Sequence, residues 1–591
     1  LSFMRPKRSG RIAACTAVAL AAGMLLAGPA SADGTPKAPA DIQAPSFDQR
    51  AGGHLPKAAP KSAAPKAQKQ QLQRGAADAP SVATAGTAVG PLFDVDGDGR
   101  DDILYRVLNG RSYLKATKNE NGDTPFDVRK SDDNEDFKDV VPVGDLDHNG
   151  LPELLQLSVT GRLSLAEASS TGSGYSSWSG GGWGVYNKLI GAGDLTGDGN
   201  PDLLARTPGG DLYLYPGNGK AGWNDPFGDR VYIGGGWDMF SQIIGGADYD
   251  ADGKADVLAT TPSGLMYFYK GTGGAGTFAS GKKTGTGWST YNQITALSDR
   301  SGLSWVLARE VNGQTWTYPV QGDGVLGDRT KLSSGWEYVN LISGQGGVPA
   351  HGKSEAYGRT SGGALYGYFG RQNGNFEDRQ QLAENGSFPS QVGMALASSL
   401  DTSGEANMLW WYGGDLYSGD TYIGGGWDVY NSLVGVGDLN GDGYGDLLAR
   451  DKSNVLWFYE SKGTGTGFFT RVRVGGGWGI YNKLLGAGDV TGDGIADLVA
   501  RGTDGSLWAY PGTGHDGGVL GDRVKIGSAG WNSFNKLAAV GDITGDGLAD
   551  LMAVDSSGTA YRYAATGLGG LNTFNGRSTI GSGWNTYTEL H

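Results

Sequence analysis

The stretch GDLTGDGNPDLLAR, from Gly193 to Arg206, sets oxygen-bearing side chains on alternate positions of a short loop and follows them with an apolar run. With Asp194 as position 1, Thr196 and Asp198 take positions 3 and 5, Asn200 can turn its backbone carbonyl inward at 7, and Asp202 closes at 9. Alternate spacing lets one tight turn aim several oxygens at a point, and Gly199 at position 6 permits the bend. Hard oxygen ligands on a flexible loop favour calcium, because magnesium demands stricter octahedral geometry and retains more water.

The phrase recurs. Asp94, Asp96, Asp98, Arg100 and Asp102 hold the same positions, as do Asp248, Asp250, Asp252, Lys254 and Asp256. Three later copies are Asp438, Asn440, Asp442, Tyr444 and Asp446; Asp489, Thr491, Asp493, Ile495 and Asp497; and Asp542, Thr544, Asp546, Leu548 and Asp550. A seventh, with Asp145, Asp147, Asn149, Leu151 and Glu153, departs at positions 5 and 9. At position 7 only the backbone carbonyl is wanted, so its side chain is free to vary. The alternative to metal is a set of Asx-type turns, but turns alone do not require three or four carboxylates together.

These loops need strands to hold them. Each follows a Gly-Trp phrase and an apolar run, as in GGGWGVYNKLIGAGD, and precedes PDLLART, DLYLYPGNG and DRVYIGGG, with turn glycines between. Leu212 and Leu214 alternate with Tyr213 and Tyr215, the period of a half-buried strand. Four short strands per unit of about 50 residues predict an all-β propeller blade. Worn copies at 296–309, 344–359 and 398–411 keep the surroundings and lose most of the acids, giving ten repeats. The array opens in a loop and closes on a Gly-Trp strand, which can supply what the first blade lacks. Two five-bladed rings, 90–342 and 343–591, are the preferred arrangement; one large ring is the alternative.

Residues 1–32 read as a signal peptide: Arg5, Lys7, Arg8 and Arg11, then an apolar run, then Ala30-Ser31-Ala32. The one cysteine, Cys15, lies inside it, so the expected mature chain has no disulfide. The Ala/Pro/Lys-rich segment 33–89 reads as a disordered linker. The chain is therefore expected outside the cell, free or associated with the cell wall, with no membrane span after cleavage. Losing the four cations takes the net charge of −14 to −18, and seven divalent ions would return it to −4. Such an acidic chain disfavours nucleic acid as a partner.

The loop followed by an apolar strand resembles the FG-GAP and VCBS repeats of integrin-alpha-like propellers, over residues 90–591. The resemblance implies calcium in the seven intact loops and none in the worn ones. IGGGWDMFSQI and IGSGWNTYTEL are in turn similar to the Gly-Trp phrase of tachylectin, a five-bladed lectin of amino sugars. That implies five-bladed rings and glycan binding, without transferring a defined sugar site.

No constellation for catalysis stands out: the five histidines form no metal-binding pair and no nucleophile phrase is present. The expected function is calcium-stabilised binding of extracellular glycan or cell-wall polysaccharide without catalysis. A cell-surface protein scaffold is the second reading and a polysaccharide hydrolase the third. Trp183, Trp237, Trp288, Trp336, Trp427, Trp478, Trp531 and Trp584 can serve either blade packing or sugar stacking, with packing favoured, and Arg206, Arg309, Arg359, Arg450 and Arg501 could donate hydrogen bonds to a ligand. Trp410 and Trp411 do not fit the repeat template and are the single candidates for ligand binding.

Overall fold

The computed structural model describes residues 89–116, 122–130, 135–222, 225–274 and 278–591. The expected signal peptide, Cys15 and all of the linker except residue 89 lie outside them. The described residues form ten antiparallel sheets, eight of four strands and two with a fifth short strand, and all-β architecture is borne out. The worn repeats at 296–309, 344–359 and 398–411 build sheets as the intact ones do.

One sheet shows how the sequence produces the pattern. Lys188–Gly193 pairs with Asp202–Arg206, which pairs with Leu212–Tyr215, which pairs with Val231–Gly234. The first two strands are buried on both faces, the third alternates buried leucine with half-buried tyrosine, and the fourth is half-buried with Tyr232 exposed. Burial therefore declines from the first strand to the last, as the apolar run at Leu189-Ile190 and the alternating LYLY require.

Two sheets borrow a strand from far along the chain. Val339–Ile342 pairs with Ile103–Val107, setting Tyr105 opposite Ile342. Tyr587–Leu590 pairs with Glu355–Thr360, setting Arg359 opposite Glu589. These pairings cover the edges that the first sheet of each group of five repeats would otherwise expose.

The apolar core lies between sheets. Val141, Leu155 and Leu163 pack on Tyr186, Leu189 and Leu203 of the next repeat. Ile103 and Tyr105 pack on Leu297, Leu307 and Trp336, and Ala356 packs on Met552, Val554 and Leu590. Each Gly-Trp phrase feeds this core. Gly287 takes a left-handed φ of 86° that turns the chain into one turn of 3-10 helix, Trp288–Thr290. The Trp288 ring is thereby driven against Tyr291 and Tyr318. An aromatic of this size hides roughly 150–250 Å², ~4–6 kcal/mol of transfer free energy before ordering entropy is subtracted.

Candidate metal loops and an inter-sheet pocket

Each of the seven loops is pinned by the same three hydrogen-bond relations. In the loop at 194, Oδ2 of Asp194 accepts from the Gly199 amide at 2.8 Å, and Oδ2 of Asp202 accepts from the Leu195 amide at 2.8 Å. Oδ1 of Asp198 accepts from the Asn200 amide at 2.9 Å, an Asx turn. Equivalent bonds fix the other loops, with Glu153 taking the closing role from the Leu146 amide at 2.6 Å. The acids thus shape the turn and converge at once. The closing acid also reaches outward: Oδ1 of Asp202 accepts from Gly217, tying the loop to the strand after next.

Three loops bring carboxylates together as candidate metal ligands: Asp94, Asp96 and Asp102; Asp145, Asp147 and Glu153; and Asp248, Asp250 and Asp256, each set with one oxygen per residue within 4.8 Å of the others. The position-5 residues Asp98, Asn149 and Asp252 stand outside these triads. In the loops at 194, 438, 489 and 542 the third position is Thr196, Asn440, Thr491 or Thr544, a hydroxyl or amide in place of a carboxylate. The position-7 residues Arg100, Leu151, Asn200, Lys254, Tyr444, Ile495 and Leu548 each give their amide to the position-5 side chain, leaving the backbone carbonyl as the group they can offer.

The donor set fits a cation. Oδ1 of Asp94 is buried without a hydrogen-bond partner. Burial pushes Asp202 up to about 6, Asp256 to about 7 and Glu153 to about 8, with neighbouring carboxylates adding to the shift. Asp446, Asp497 and Asp550 are likewise raised by desolvation and by the aspartates beside them. Carboxylates in this state lack positive charge. Two loops already pair with a cation: Arg300, from another repeat, lies 2.9 Å from Asp94, and Lys270 pairs with Asp250 and, at 2.9 Å, with Asp252.

The tryptophans and arginines singled out from the sequence are mostly structural. Trp183, Trp237, Trp288, Trp336, Trp427, Trp478 and Trp584 are buried, while Trp531 is half-buried. Arg206 gives its guanidinium to the carbonyls of Trp237 and Phe240 and to Asn187; Arg450 and Arg501 make the same bonds to the next 3-10 turn. The Nε and Nη1 donors of these arginines serve the fold. Trp410 is 2% exposed, stacked on Tyr417 with centroids 4.0 Å apart, and donates its indole N–H to the Gly419 carbonyl. The expectation that packing makes no demand on Trp410 is corrected, because it stands in the core beside Phe388, Met408 and Tyr417. Trp411 is half-buried, beside Gly393.

A feature the sequence reading missed lies between sheets. A cavity of about 420 Å³ is lined by Thr284, Gly285, Trp288, Tyr291, Tyr318 and Arg329, among others. Arg329 donates to the Tyr291 hydroxyl at 2.6 Å and to Glu310 at 3.0 Å, while its guanidinium lies 3.9 Å over the Trp316 ring. The two tyrosine hydroxyls bond to each other. The arrangement recurs as Arg230 with Tyr186 and Tyr215, Arg471 with Tyr430 and Tyr459, Arg523 with Tyr481 and Tyr510, and Arg379 with Tyr587 and Tyr368. The signal was present in phrases such as GDRVYIGGG and GDRVKIGSA, where arginine precedes the outer strand, but these phrases read only as the last short strand of the unit.

Residues 194–259, 438–500 and 489–553 match the model of the FG-GAP-like repeat. The chain carries FG-GAP-like repeats. The matched segments span the acidic loops at 194, 248, 438, 489 and 542, within a chain whose described residues repeat one four-stranded antiparallel unit. Comparison with curated protein sequences gives no match. Among solved structures, the chain is similar to an Agrocybe aegerita lectin described as recognising non-reducing terminal N-acetylglucosamine, at 16% identity over 67% of this chain and 90% of that one, TM-score 0.20. It is similar to the BP39L lectin of Burkholderia pseudomallei at 14% identity, over 76% and 99%, TM-score 0.24. BBS1N in complex with ARL6DN matches at 10% identity, over 73% and 93%, TM-score 0.21. At these scores the likenesses carry no argument about ligand.

Proposed function

We propose that the chain is an exported, calcium-stabilised protein of two five-bladed propellers, 90–342 and 343–591, that binds an extracellular glycan or cell-wall polysaccharide without transforming it. The ring count is supported by the two borrowed strands, Val339–Ile342 and Tyr587–Leu590, and by cores that run from each sheet to the next and back to the first of its group. Calcium is favoured by the all-oxygen donor sets and by the flexibility of nine-residue loops.

The observation that carries the binding reading is the cavity at Trp288, Tyr291 and Arg329. It joins aromatic surface to a fixed cation and to tyrosine hydroxyls, the combination that recognises a sugar's apolar face and its ring of hydroxyls. Its relatives at Arg230, Arg379, Arg471 and Arg523 would make the protein multivalent, so weak single sites would sum on a polymer.

A glycan and cell-wall polysaccharide panel probed with the purified chain, in calcium and in chelator, tests this. Binding competed by a simple sugar and weakened by Arg329→Ala is expected. Binding only to a protein partner would favour the scaffold reading. That second reading draws on Val185, Met239, Val429 and Ile480, exposed at the 3-10 turns by 40–56%. Release of sugar from a bound polymer would favour a hydrolase. Among the described residues no helix is long and apolar enough to cross a membrane.

A further inference from the structure

The seven acidic loops fall into two classes by what lies over them. In the first five repeats the loops at 145, 194 and 248 have open tips, with His148, Asn149, Gly197, Asp198, Ala251 and Asp252 exposed, while the loop at 94 is covered from within its own group by Arg300. In the second five they face residues of the first. Asn187 donates through Nδ2 to the Asp493 carbonyl at 2.7 Å, and Asn292 donates to the Thr544 carbonyl at 2.7 Å. Gln293 adds a bond to the Gly545 carbonyl at 3.3 Å. A Cβ on Gly443 would lie 2.1 Å from the Val159 carbonyl oxygen, so the loop at 438 is also roofed. The match is one to one: the second repeat covers the loop at 438, the third the loop at 489, and the fifth the loop at 542.

Charge follows the same register. Lys138 stands within electrostatic reach of Asp438, Arg206 of Asp489 and Asp493, and Arg309 of Asp542; these cations tie the two groups together but, like Arg300 at Asp94, they oppose the ion. Asparagine amides fix the backbone carbonyls at loop positions 3 and 5, and those carbonyls belong to the residues that would supply ligands to the ion.

We propose that the loops at 438, 489 and 542 are composite sites finished across the boundary between the two groups of repeats, with Asn187, Asn292 and Gln293 as positioning residues for the metal. This rests on the calcium reading above. Groups that orient metal ligands typically change affinity 10–100-fold when removed, and linkage requires that whatever tightens the metal also tightens the docking of the two groups. Three ions are then trapped between the groups, while those at the open loops of 145, 194 and 248 exchange with solvent.

The test uses the full chain loaded with radioactive calcium and chased with unlabelled ion. Two kinetic classes are expected, a fast one from the open loops and a slow one of about three ions. Asn187→Ala/Asn292→Ala, which leaves every ligand in place, should speed release of the slow class about tenfold. Asn482→Ala is the matched control: Asn482 occupies the same repeat position and accepts from Arg501 as Asn187 does from Arg206, but it is exposed and covers no loop. It should leave the slow class unchanged. A single fast class, or equal effects of the two variants, overturns the proposal while leaving the calcium reading intact. A chain that binds no calcium overturns both. Small-angle scattering supplies a second readout, with chelation expected to enlarge the radius of gyration of the full chain and an unchanged radius counting against the coupling.

Discussion

Arg300 reaches out of a worn loop to set its guanidinium 2.9 Å from Oδ2 of Asp94, the first carboxylate of the neighbouring repeat's loop. The repeat that has lost its own acids thus lends a cation to the repeat beside it. The contact is reinforced by the Arg300 amide, which donates to the Gly99 carbonyl at 2.8 Å.

That arginine competes with metal. Arg300→Ala is expected to tighten calcium at the loop of Asp94, Asp96 and Asp102 by up to about fivefold, since an exposed partner of this kind is worth at most ~1 kcal/mol. Calorimetric titration of the variant against the parent chain checks it, and unchanged affinity would mean that the guanidinium swings aside at no cost.

The closing strand should be acid-sensitive. The carboxyl of Glu589 is held at about 2, chiefly by its hydrogen bond with His591, helped by the Arg359 guanidinium. Its folded value lies below its unfolded one, so its contribution is present above about pH 4.5 and is lost as pH falls toward 2. Amide exchange at Tyr587–Leu590, corrected for its intrinsic pH dependence, should accelerate over that interval. Glu589→Gln should remove the pH dependence.

Two aromatic sites make opposite predictions. Trp410→Ala empties a buried position and should destabilise by about 3–5 kcal/mol, seen as a lower melting temperature. Arg329→Ala, at the rim of the cavity, should leave melting within a few degrees while weakening binding of any glycan that the panel identifies. If Trp410→Ala instead abolishes binding with normal melting, the cavity is the wrong site.

The turn beneath each tryptophan tolerates little. Gly264 has φ of +81°, and a Cβ there would stand 2.7 Å from the Ser289 amide nitrogen, while its carbonyl accepts from the Trp288 amide. Gly264→Ala should cost about 1–3 kcal/mol by left-handed strain and crowding. Asn454 fills the equivalent place beneath Trp478 with φ 62°, so Gly264→Asn is expected to cost less than Gly264→Ala. Paired chemical melts of the two variants settle the order.

Much of this was legible in the sequence because each repeat spells its own local structure. Loop, apolar strand, alternating strand and Gly-Trp turn each follow from residue types at short range, and the ten sheets stand where the phrases put them. What was not legible depends on neighbours. GVYNKLIGAGD and GIYNKLLGAGD are nearly the same words, yet Asn187 bonds the Asp493 carbonyl while Asn482 is exposed. Trp410 looked exceptional because the residues that bury it, Phe388 and Tyr417, come from a separate turn and strand. The Arg329 cluster assembles from Tyr291, Glu310 and Tyr318 on three successive strands of one sheet, and no single phrase contains it.

The borrowed strands also bear on time. Arg106 meets Asn340 across a separation of 234 residues, and Thr588 meets Arg359 across 229. At roughly 5–20 residues per second, a growing chain shows the open edge of Glu355–Thr360 for roughly 10–50 s before its mate exists. Contacts so distant are slow to form, and an unpaired edge is a template for other chains. The last strand is therefore a clasp that comes late, and a chain cut short before Tyr587 would emerge adhesive as well as frayed.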